Sequence, residues 1–494
     1  MISGTETLYT AAQTRALDHC AIHDYKIAGV TLMSRAADAA FRCLLDCWPD
    51  PACLQVLCGT GNNGGDGFLI ADLGHKRGID VTVVQVGDPA KISGDALLAR
   101  QQALANGVRI IDFREASLLP EGVVVDALLG TGLGGDVRGD YVQAIDSINS
   151  CGAPVLAVDI PSGLCSDTGR VLGVAVHADI TVTFIGLKRG LFTLQAPDYT
   201  GAVHFSDLGV PADVYGAVAA DCSRLELEPL LERLPRRPAT AHKGLYGTVL
   251  VVGGDYGLAG AAALAAEAAL RCGAGLVQVA TRPEHVAALV ARVPEVMPRG
   301  IGAACEFTPM LDAADVLVVG PGLGQSPWAV ELLQLALASG KPLVLDADGL
   351  NLLASGALGV IAPAGNRVLT PHPGEAARLL SSTTAEVQAD RFAAVSALQS
   401  RLGGVVILKG NGTVISDGDS VVLSDYGNPG MASGGMGDVL SGVLGALLAQ
   451  HLSPVESAAL GVCLHGAAAD IAAEEGQRGL VASDLIPVMR SLLG

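Results

Sequence analysis

The chain has 494 residues, of which 50% are hydrophobic and 16% are charged, and its formal net charge is −19. A single core stops growing at roughly 250 to 300 residues, so this length predicts at least two domains. The negative charge argues against binding to nucleic acid or to an anionic membrane, so an anionic ligand must be held by backbone N–H groups, single basic side chains or a bound cation.

The apolar stretches and the cysteines indicate a cytoplasmic protein. The longest apolar stretch, residues 439–449, is shorter than the roughly 20 residues that a membrane-spanning helix needs, and the N-terminus lacks a secretory pattern. The eleven cysteines include no CxxC pair, which favours reduced thiols and argues against disulfides or a zinc site with sulfur ligands. We therefore expect no membrane partner and no metal bound through sulfur.

The first half of the chain has the pattern of a doubly wound parallel sheet. Residues 10–47 carry apolar positions at helical spacing, and after Pro51 short apolar runs alternate with stretches of helical length. The predicted strands are residues 54–58, 81–86, 108–113, 123–129, 155–160 and 180–185. This alternation predicts a Rossmann-like α/β domain, in which ligands bind beyond the carboxyl ends of the strands.

The loop predicted after the first of these strands is GTGNNGGDG, residues 59–67, followed by a helix at 68–77. Its backbone N–H groups could wrap a diphosphate, although the motif is not GxGxxG. A phosphate loop does not need the side-chain oxygens of Asn62, Asn63 and Asp66, and such oxygens suit a hard cation. The alternative is an ordinary turn rich in asparagine and glycine.

Two further strand ends carry carboxylates. The stretch VVVDALLGTGLGGDVRG, residues 123–139, ends its strand with Asp126, and AVDIPSG, residues 157–163, ends its strand with Asp159, which Ser162 follows. One aspartate at a strand end is most often a cap or a turn former. Three such ends meet at one edge of a sheet, however, and together they indicate a shared site.

These motifs, GNNGGDG, DALLGTGLGGDVRG and VDIPSG in this order, resemble the NAD(P)HX epimerase family over about residues 13–210. The resemblance implies that Asp159 is the acid or base of an isomerase and that Asn63, Asp126 and Ser162 bind a potassium ion. The residues implied to contact the substrate are Asn62, Asn63, Gly64, Gly65, Asp66, Gly130, Thr131, Gly132, Leu133, Gly134, Gly135, Asp136, Tyr141 and Asp159.

The sequence departs from this family at Ser34 and Asp72, where Glu and Arg are usual. Positive charge to hold a diphosphate is scarce near the site, since the neighbouring sequence offers only Arg138 and the distant Lys188 and Arg189. A bound potassium ion would offset the repulsion between the aspartates and the substrate.

A domain boundary is predicted near residue 225, with domains at 1–220 and 225–494. The alternation of strands and helices lapses after Leu208, and a run rich in proline and arginine precedes a new strand. Few apolar residues lie between Leu234 and His242, so we expect a cut there to give two folded proteins.

The second half predicts another α/β sheet, with strands at 248–252, 276–280, 316–319, 343–346, 367–370 and 405–408. An alanine-rich helix is expected after the first of them, and its start includes Gly260, which could touch a substrate. A glycine turn containing Gly322 follows the third strand, and the fourth strand ends with Asp346 and Asp348 at the carboxyl edge.

Two later strand ends carry a histidine and a lysine. His372 stands between two prolines, which favours ligand contact over a place in the core. Lys409 precedes a glycine-rich turn and suits a nucleotide phosphate as a point charge. A solvated lysine in a hairpin is the alternative for Lys409.

The stretch NPGMASGGMGDVLSGVLGALLAQ, residues 428–450, predicts a phosphate site. Gly434, Gly435 and Gly437 can adopt positive φ and approach a ligand closely, and a helix starting near Asp438 directs the positive end of its dipole to the same place. Asp438 would then be a general base for a hydroxyl beside the phosphate. A glycine-rich loop with an N-cap aspartate is the alternative.

The motifs GDYGLAGAAALAAEAALRCGAGLV, GPGLG, LDADGLN, LTPHPGE, LKGNGTV and NPGMASGGMGDVLSG, in this order, resemble the ribokinase-like family of ADP-dependent NAD(P)HX dehydratases. The resemblance implies that Gly260, Gly322, His372 and Asp438 contact the hydrated nicotinamide, and that a magnesium ion accompanies the phosphates. The residues implied to hold the adenine nucleotide are Lys409, Gly410, Asn411, Gly412, Thr413 and Gly437.

Together the resemblances imply a bifunctional isomerase and lyase that epimerises R and S NAD(P)HX and dehydrates the S form with ADP, releasing AMP and phosphate. The expected partners are NADHX, NADPHX, ADP, AMP and further copies of the chain in a homo-oligomer. One alternative is a small-molecule alcohol kinase of ribokinase-like fold. Another makes the first domain a protein-binding module, as in apolipoprotein-binding relatives, although Asp126 and Asp159 favour catalysis.

Overall fold

The computed structural model describes residues 5–494, and the chain divides into two compact units. Strand β1 (Thr5–Leu8) opens the described chain. The first unit comprises Thr7–Cys222, and the second comprises Ser223–Gly494 together with Thr5 and Glu6.

The first unit is built on a seven-stranded parallel sheet. Its strands are β2 (Cys53–Cys58), β3 (Asp80–Gln85), β4 (Arg109–Asp112), β5 (Val123–Ala127), β6 (Val155–Val158), β7 (Ile180–Phe184) and β8 (Ala202–Ser206). Their order in the sheet is β4-β3-β2-β5-β6-β7-β8. The order reverses between β2 and β5, and in such sheets ligands bind in the crevice at this switch point.

Helices cover the sheet of the first unit. They are α1 (Ala11–His23), α2 (Gly29–Cys47), α3 (Asn62–Lys76), α4 (Gly94–Ala105), α5 (Asp140–Cys151), α6 (Pro197–Thr200) and α7 (Ala212–Gly216). The six predicted strands are all present, with ends that differ by at most two residues, so the predicted α/β fold with a parallel sheet is confirmed. The prediction missed the edge strand β8, because the polar residues His204 and Ser206 interrupt its short apolar pattern.

The motif GNNGGDG does not precede a helix as a loop, as predicted, but forms the first turns of α3, which begins at Asn62. The reason is close packing. A Cβ on Gly67 would lie 2.6 Å from Ala127 Cβ, and one on Gly64 would lie 2.2 Å from the Gly59 carbonyl oxygen. Because both positions are glycine, the start of α3 can lie directly on the ends of β2 and β5.

Asp72, where the family pattern has an arginine, joins α3 to α4. The buried carboxylate accepts hydrogen bonds from Lys76 Nζ, Gln102 Nε2 and Asn106 Nδ2, each of 2.7 Å. Burial acts to raise the pKa of Asp72, but these three donors outweigh burial and lower it. The aspartate that replaces the usual arginine therefore has a structural role, because it holds α3 and α4 together.

The second unit contains a larger mixed sheet. Besides β1, the strands of this sheet are β9 (Cys222–Leu225), β10 (Thr248–Val252), β11 (Leu276–Thr281), β12 (Met297–Gly300), β13 (Val316–Val319), β14 (Leu343–Leu345), β15 (Arg367–Leu369), β16 (Val405–Leu408), β17 (Thr413–Ser416) and β18 (Val421–Ser424). The order in the sheet is β1-β9-β18-β17-β16-β15-β14-β13-β10-β11-β12. The strands from β12 to β16 in this order run parallel, whereas β17 and β18 are antiparallel. The sequence predicted every parallel strand of this sheet except β12, which lies at its edge.

The helices of the second unit are α8 (Leu227–Leu231), α9 (Ala259–Arg271), α10 (Val286–Arg292), α11 (Ala304–Ala313), α12 (Pro327–Ala338), α13 (Ala347–Ser355), α14 (Pro373–Leu380), α15 (Thr384–Ala389), α16 (Arg391–Leu402), α17 (Met436–Ala449), α18 (Pro454–Ala472) and α19 (Ala482–Leu493). The core includes α9, α17 and α18. A Cβ on Gly442 of α17 would lie 2.1 Å from the Ala265 carbonyl oxygen of α9, so small residues set this close helix packing.

Residues 223–231 belong to the core of the second unit. Leu225, Leu227 and Leu230 are 1%, 4% and 1% exposed and lie in the same apolar cluster as α17 and α18. A cut between Leu234 and His242 would remove this segment from the unit that it completes. Two folded proteins from that cut therefore stay a prediction, and the structure favours a cut before Ser223, because the second unit and its core begin ahead of the proline- and arginine-rich run.

Within residues 5–494, one helix, α18, is apolar and long enough to cross a membrane by length and composition. In the structure, 72% of its apolar window is buried within the protein. Its burial is that of a core helix.

Candidate active sites

The first unit contains a cavity of 590 Å³ at the carboxyl edge of its sheet. It lies at the switch point between β2 and β5. Of the residues predicted to contact substrate, those in the wall are Asn62, Asn63, Asp66, Gly130, Thr131, Gly132, Leu133, Gly134, Tyr141 and Asp159. The structure thus brings the loops after β2, β5 and β6 to one place.

Four predicted contact residues do not line this cavity. Gly64 and Gly65 face the protein interior, where a Cβ on Gly65 would lie 2.7 Å from Met33 Cε. Gly135 and Asp136 are exposed beyond the loop that lines the wall. Gly64 and Gly65 have a packing role, because they let α3 approach β2 and α2.

Asp159 forms an ion pair with Lys188, and both residues line the cavity. Lys188 is 1% exposed, and its Nζ also donates to Thr183 Oγ1 at 2.9 Å and to the Phe184 carbonyl at 3.0 Å. Asp159 has a φ of +69°, a strained value for a residue with a side chain. The expectation that Lys188 is distant was wrong, since the chain after β7 returns it to the end of β6.

The cavity wall holds more ionisable groups than the sequence indicated. Burial raises the pKa of Asp18 to about 6, Lys188 opposes this shift and Asp159 adds to it. Burial also raises the pKa of Asp66 well above its usual range, with the charges of Asp159 and Asp18 adding to the effect. Arg15 on α1 is a further positive charge in the wall, whereas the predicted Arg138 is not part of it.

Asp126 and Ser162, two of the predicted potassium ligands, are bonded to each other. Ser162 Oγ donates to Asp126 Oδ1 at 2.6 Å, and the Ser162 backbone N–H donates to Asp126 Oδ2 at 2.8 Å. Both residues are 0% exposed. Burial raises the pKa of Asp126 to about 6, while the hydrogen bonds from Ser162 and Leu128 oppose the rise.

Asn63, the third predicted ligand, is buried at the cavity, and neither its Oδ1 nor its Nδ2 has a hydrogen-bond partner among the described residues. A Cβ on Gly130 would lie 3.4 Å from Asn63 Cβ and 3.4 Å from Asp159 Oδ2. Buried amide groups normally have partners, so an unpaired one at a cavity indicates a ligand position. An amide oxygen of this kind suits a hard cation.

The second candidate site lies at the N-terminus of α17. Gly435 caps this helix with a φ of +93°, and Asp438 is its third residue. Cβ atoms built on Gly434 and Gly260 would meet nothing within 4 Å, so open space lies before both. The first N–H groups of a long buried helix, with a carboxylate beside them, can hold a phosphate next to a base.

Burial raises the pKa of Asp438 to about 7, the charges of Asp346 and Asp348 add to this rise, and Lys409 opposes it. An ordinary N-cap aspartate would have the opposite tendency, because the helix dipole favours its charged form. A carboxylate whose pKa lies near neutrality can accept and release a proton at physiological pH.

Lys409 reaches the start of α17 and is paired there. A Cβ on Gly437 would lie 3.1 Å from Lys409 Nζ. The Nζ donates to Asp346 Oδ1 at 2.8 Å, and the same carboxylate accepts from Thr370 and Ser441. Lys409 is partly buried and ion-paired, which excludes the alternative of a solvated lysine in a hairpin.

The loop after Lys409 is held by Arg391, a residue that the sequence did not single out. Arg391 is 1% exposed, and its Nη2 donates to the backbone carbonyls of Leu408, Lys409 and Gly412 at 3.0, 3.3 and 3.2 Å. These hydrogen bonds fix the backbone conformation of the predicted nucleotide loop, residues 409–413. In the sequence, the only signal of such a buried arginine is a charged residue at a position where the helical pattern predicts an apolar one.

His372 caps α14 and remains half exposed. Its Nδ1 accepts from the Gly374 N–H at 3.0 Å, and its Nε2 lies 3.5 Å from Glu375 Oε1. Burial lowers the pKa of His372, and the charges of Lys409 and Arg378 lower it further. The ring is thus a neutral N-cap whose Nε2 faces a carboxylate, which agrees with the prediction that it is not a core residue.

Gly322 lies in the turn after β13, with a φ of +58°. A Cβ there would lie 2.5 Å from the Leu258 carbonyl oxygen, at the residue before α9. Gly322 thus allows its turn to approach the start of α9, where Gly260 lies.

Each unit matches a family model. Residues 29–190 match a model described as YjeF-related protein N-terminus, and residues 249–490 match one described as NAD(P)H-hydrate dehydratase. Two similar solved structures are a ribokinase-like superfamily protein of Enterococcus faecalis and a hypothetical protein of Streptococcus mutans. Both are 30% identical over 55% of this chain, with TM-scores of 0.52 and 0.51 and coverage of 95% and 100% of their own chains. The predicted ribokinase-like fold of the second unit is confirmed.

Relatives that match nearly the whole chain are named as bifunctional NAD(P)H-hydrate repair enzymes. The chain is 48% identical to the bifunctional NAD(P)H-hydrate repair enzyme of Coxiella burnetii, over 98% of this chain and 99% of the relative. It is 46% identical to the enzyme of the same name in Escherichia coli, over 94% and 90%. With both domain models matched in order and this identity along nearly its whole length, the chain belongs to the family of bifunctional NAD(P)H-hydrate repair enzymes.

Proposed function

We propose that the protein repairs hydrated NADH and NADPH in two steps. The first unit interconverts the R and S hydrates, and the second dehydrates the S hydrate with ADP. The observation that carries the proposal is the carboxylate of Asp438, with a pKa of about 7, at the N-terminus of α17 in the unit that matches the dehydratase model.

In the first unit, Asp159 is the proposed acid or base. Its carboxylate lines the 590 Å³ cavity, and Lys188 holds it at the wall. The open glycines Gly132 and Gly134 support contact between the loop after β5 and the diphosphate of the substrate, since no Cβ blocks their backbone. Arg15 and Lys188 supply positive charge in the cavity wall.

Asn63, Asp126 and Ser162 are the proposed ligands of a potassium ion. The unpaired Oδ1 of Asn63 supports this assignment. The Asp126 carboxylate accepts three hydrogen bonds, from Ser162 Oγ, Ser162 N and Leu128 N. Since a carboxylate offers about four acceptor positions, one remains for a cation. When bound, the ion would supply positive charge beside Asp126 and the diphosphate.

In the second unit, Asp438 takes the proton from the C6 hydroxyl of the hydrate, and the hydroxyl oxygen forms a bond to the terminal phosphorus of ADP. The bond from that phosphorus to the bridging oxygen breaks, and AMP leaves. The C6–O bond of the phosphate ester then breaks as C5 loses a proton, so inorganic phosphate leaves and the C5–C6 double bond is restored. The N–H groups at the start of α17 stabilise the phosphate during transfer.

Lys409 and the loop that Arg391 holds are the proposed nucleotide site, with His372 and the open Gly260 beside the hydrated ring. Asp346 already accepts three hydrogen bonds, and Glu375 Oε2 accepts from the His372 N–H at 2.8 Å. A magnesium ion would therefore rely mainly on the phosphates that it accompanies, as this ion usually does.

The stoichiometry of the products tests this proposal against an alcohol kinase. The protein is incubated with the S hydrate and ADP, and AMP, inorganic phosphate and dihydronicotinamide are measured together. The proposal predicts equal amounts of all three. A stable phosphorylated hydrate without free phosphate would instead show kinase activity. The homo-oligomer, the cytoplasmic location and the domain limits at 220 and 225 stay predictions from the sequence.

A further inference from the structure

Two cysteines and a histidine meet on the surface of the first unit, away from the residues that line its cavity. Cys43 and Cys47 lie in the last turns of α2, and His204 lies in the edge strand β8. The two Sγ atoms and a ring nitrogen of His204 all lie within 4.8 Å of one another. Cys43 is half-buried, whereas Cys47 and His204 are exposed.

The fold explains why these three side chains meet. Residues four apart in a helix lie on the same face, so Cys43 and Cys47 present their sulfurs together. Helix α2 packs against β8, which carries His204 to the same face. The sequence has no CxxC pair, which argued against sulfur ligands, but a Cx₃C pair on a helix places two sulfurs on one side equally well.

We propose that Cys43, Cys47 and His204 bind a thiophilic metal ion with a filled d shell, with Zn²⁺ as the expected ion. Zinc binds sulfur at about 2.3 Å and nitrogen at about 2.0 to 2.1 Å in tetrahedral geometry. Ligand atoms around such an ion are roughly 3.4 to 3.8 Å apart by that geometry. The three ligand atoms already lie within 4.8 Å of one another and approach one another further when the ion binds, with water in the exposed fourth position.

The donor set selects this class of ion. Thiolate and imidazole ligands suit Zn²⁺ and Cu⁺, whereas magnesium, calcium and potassium prefer oxygen. Asp46 stands next to Cys47 in α2 and places a negative charge beside the cluster. The same negative charge attracts a cation, and the Cys43 proton passes to solvent when the ion binds.

A disulfide fits the pair less well. Cβ atoms at helical positions i and i+4 are about 5 to 6 Å apart, whereas a disulfide needs about 3.5 to 4.5 Å. Joining the two sulfurs would therefore distort the end of α2. A metal ion spans the wider gap and also uses His204, which a disulfide leaves out.

The ion would join the C-terminal end of α2 to the edge of the sheet. The N-terminal half of the same helix supplies Leu32, Met33 and Ala36 to the wall of the cavity. Metal binding is thus expected to stabilise the unit that holds the cavity. The site does not depend on the function proposed above.

The test uses reduced, metal-free protein of full length, titrated with Co²⁺ as a spectroscopic probe and then with Zn²⁺ in competition. Cys47→Ser and His204→Gln are the main variants, because both residues are exposed and their substitution spares the core. Cys305→Ser is the matched control, an exposed cysteine outside the cluster. Circular dichroism checks that each variant is folded.

Wild type and Cys305→Ser are expected to bind one Co²⁺ with a thiolate charge-transfer band and tetrahedral d–d bands, and Zn²⁺ should displace it. Cys47→Ser and His204→Gln should each weaken binding at least tenfold, and Zn²⁺ should raise the unfolding midpoint of wild type but not of His204→Gln. The proposal is overturned if both variants bind like wild type, if wild type shows no thiolate band, or if Cys43 and Cys47 are joined in a disulfide in reducing buffer.

Discussion

Lys409 donates a 2.8 Å hydrogen bond to Asp346, and this pair lies beneath the first turn of α17. Asp346 is 1% exposed and also accepts from Thr370 Oγ1 at 2.7 Å and Ser441 Oγ at 2.8 Å. Burial acts to raise the pKa of Asp346, but Lys409 and these donors lower it. The lysine proposed for the nucleotide phosphate is thus held in place before any nucleotide binds.

Replacing Asp346 with asparagine should destabilise the second unit. Breaking a buried ion pair costs about 3 to 5 kcal/mol, and the cost should be at the lower end here because 21% of the Lys409 side chain is exposed. Ser441→Ala is the control, since it removes one hydrogen bond worth about 1 kcal/mol. Denaturant unfolding measures the free energy of unfolding of both variants. Equal losses in the two would contradict the conclusion that the ion pair stabilises the unit more than a single hydrogen bond does.

Asp438→Asn should abolish dehydration and leave epimerisation near normal, because the variant loses only the base of the second unit. A general base contributes about 10²- to 10⁴-fold, so we expect a fall of at least a hundredfold in the dehydration rate. Asp312→Asn, an exposed carboxylate in the same unit, is the control. A fall of less than tenfold would remove Asp438 from its assigned role.

The pH dependence of dehydration follows from the same residue. The base must be ionised, and the pKa of Asp438 is about 7 in the free protein, so kcat/KM should rise with pH and reach half its plateau near pH 7. An aspartate with an ordinary pKa would already be at its plateau by pH 6. A flat profile of kcat/KM from about pH 5.5 to 8.5, measured with ADP well below its KM, would rule out a base with this pKa.

Asn63→Ala should remove the dependence of epimerisation on potassium. The amide of Asn63 has no partner among the described residues, so its loss spares the hydrogen bonds of the fold, whereas Asp126→Ala would also release Ser162. We expect a higher substrate KM and equal exchange rates in potassium and sodium, with an unchanged dehydration rate as the internal control. Exchange in wild type that is equally fast without potassium would refute the role of these ligands.

A fragment that begins at Ser223 should fold, whereas one that begins at residue 235 should not. The shorter fragment lacks Leu225, Leu227 and Leu230, and losing even one buried leucine side chain costs about 2 to 5 kcal/mol. Total stability is about 5 to 15 kcal/mol, so losing all three side chains costs about as much as the whole stability of the unit. Cooperative thermal unfolding of both fragments would show that residues 223–234 are dispensable.

The positions of the loops could be predicted from the sequence, because each follows an apolar strand and all carboxyl ends of a parallel sheet share one edge. The pairing of side chains could not. Lys188 meets Asp159 because β7 returns the chain beside β6, and Ser441 meets Asp346 although 95 residues separate them. Cys43 and His204 likewise become neighbours only when α2 packs on β8. Such contacts depend on the order of strands, which local patterns do not contain.

The start of α3 shows a second limit of the local pattern. A run of glycines and asparagines predicts a turn, yet residues 62–67 are helical because the missing Cβ atoms let the helix lie on β2 and β5. Tertiary packing thus outweighs the low helix propensity of glycine. As a result, Asn63 and Asp66 project from a rigid helix rather than from a mobile loop.

The most direct test of the two-step repair follows the absorbance of restored dihydronicotinamide after mixing the protein, ADP and a mixture of R and S hydrates. The proposal predicts complete recovery by wild type, and for Asp159→Asn a rapid phase that stops at the S fraction. Recovery that stops at the S fraction in wild type, or complete recovery at the wild-type rate by Asp159→Asn, would contradict it.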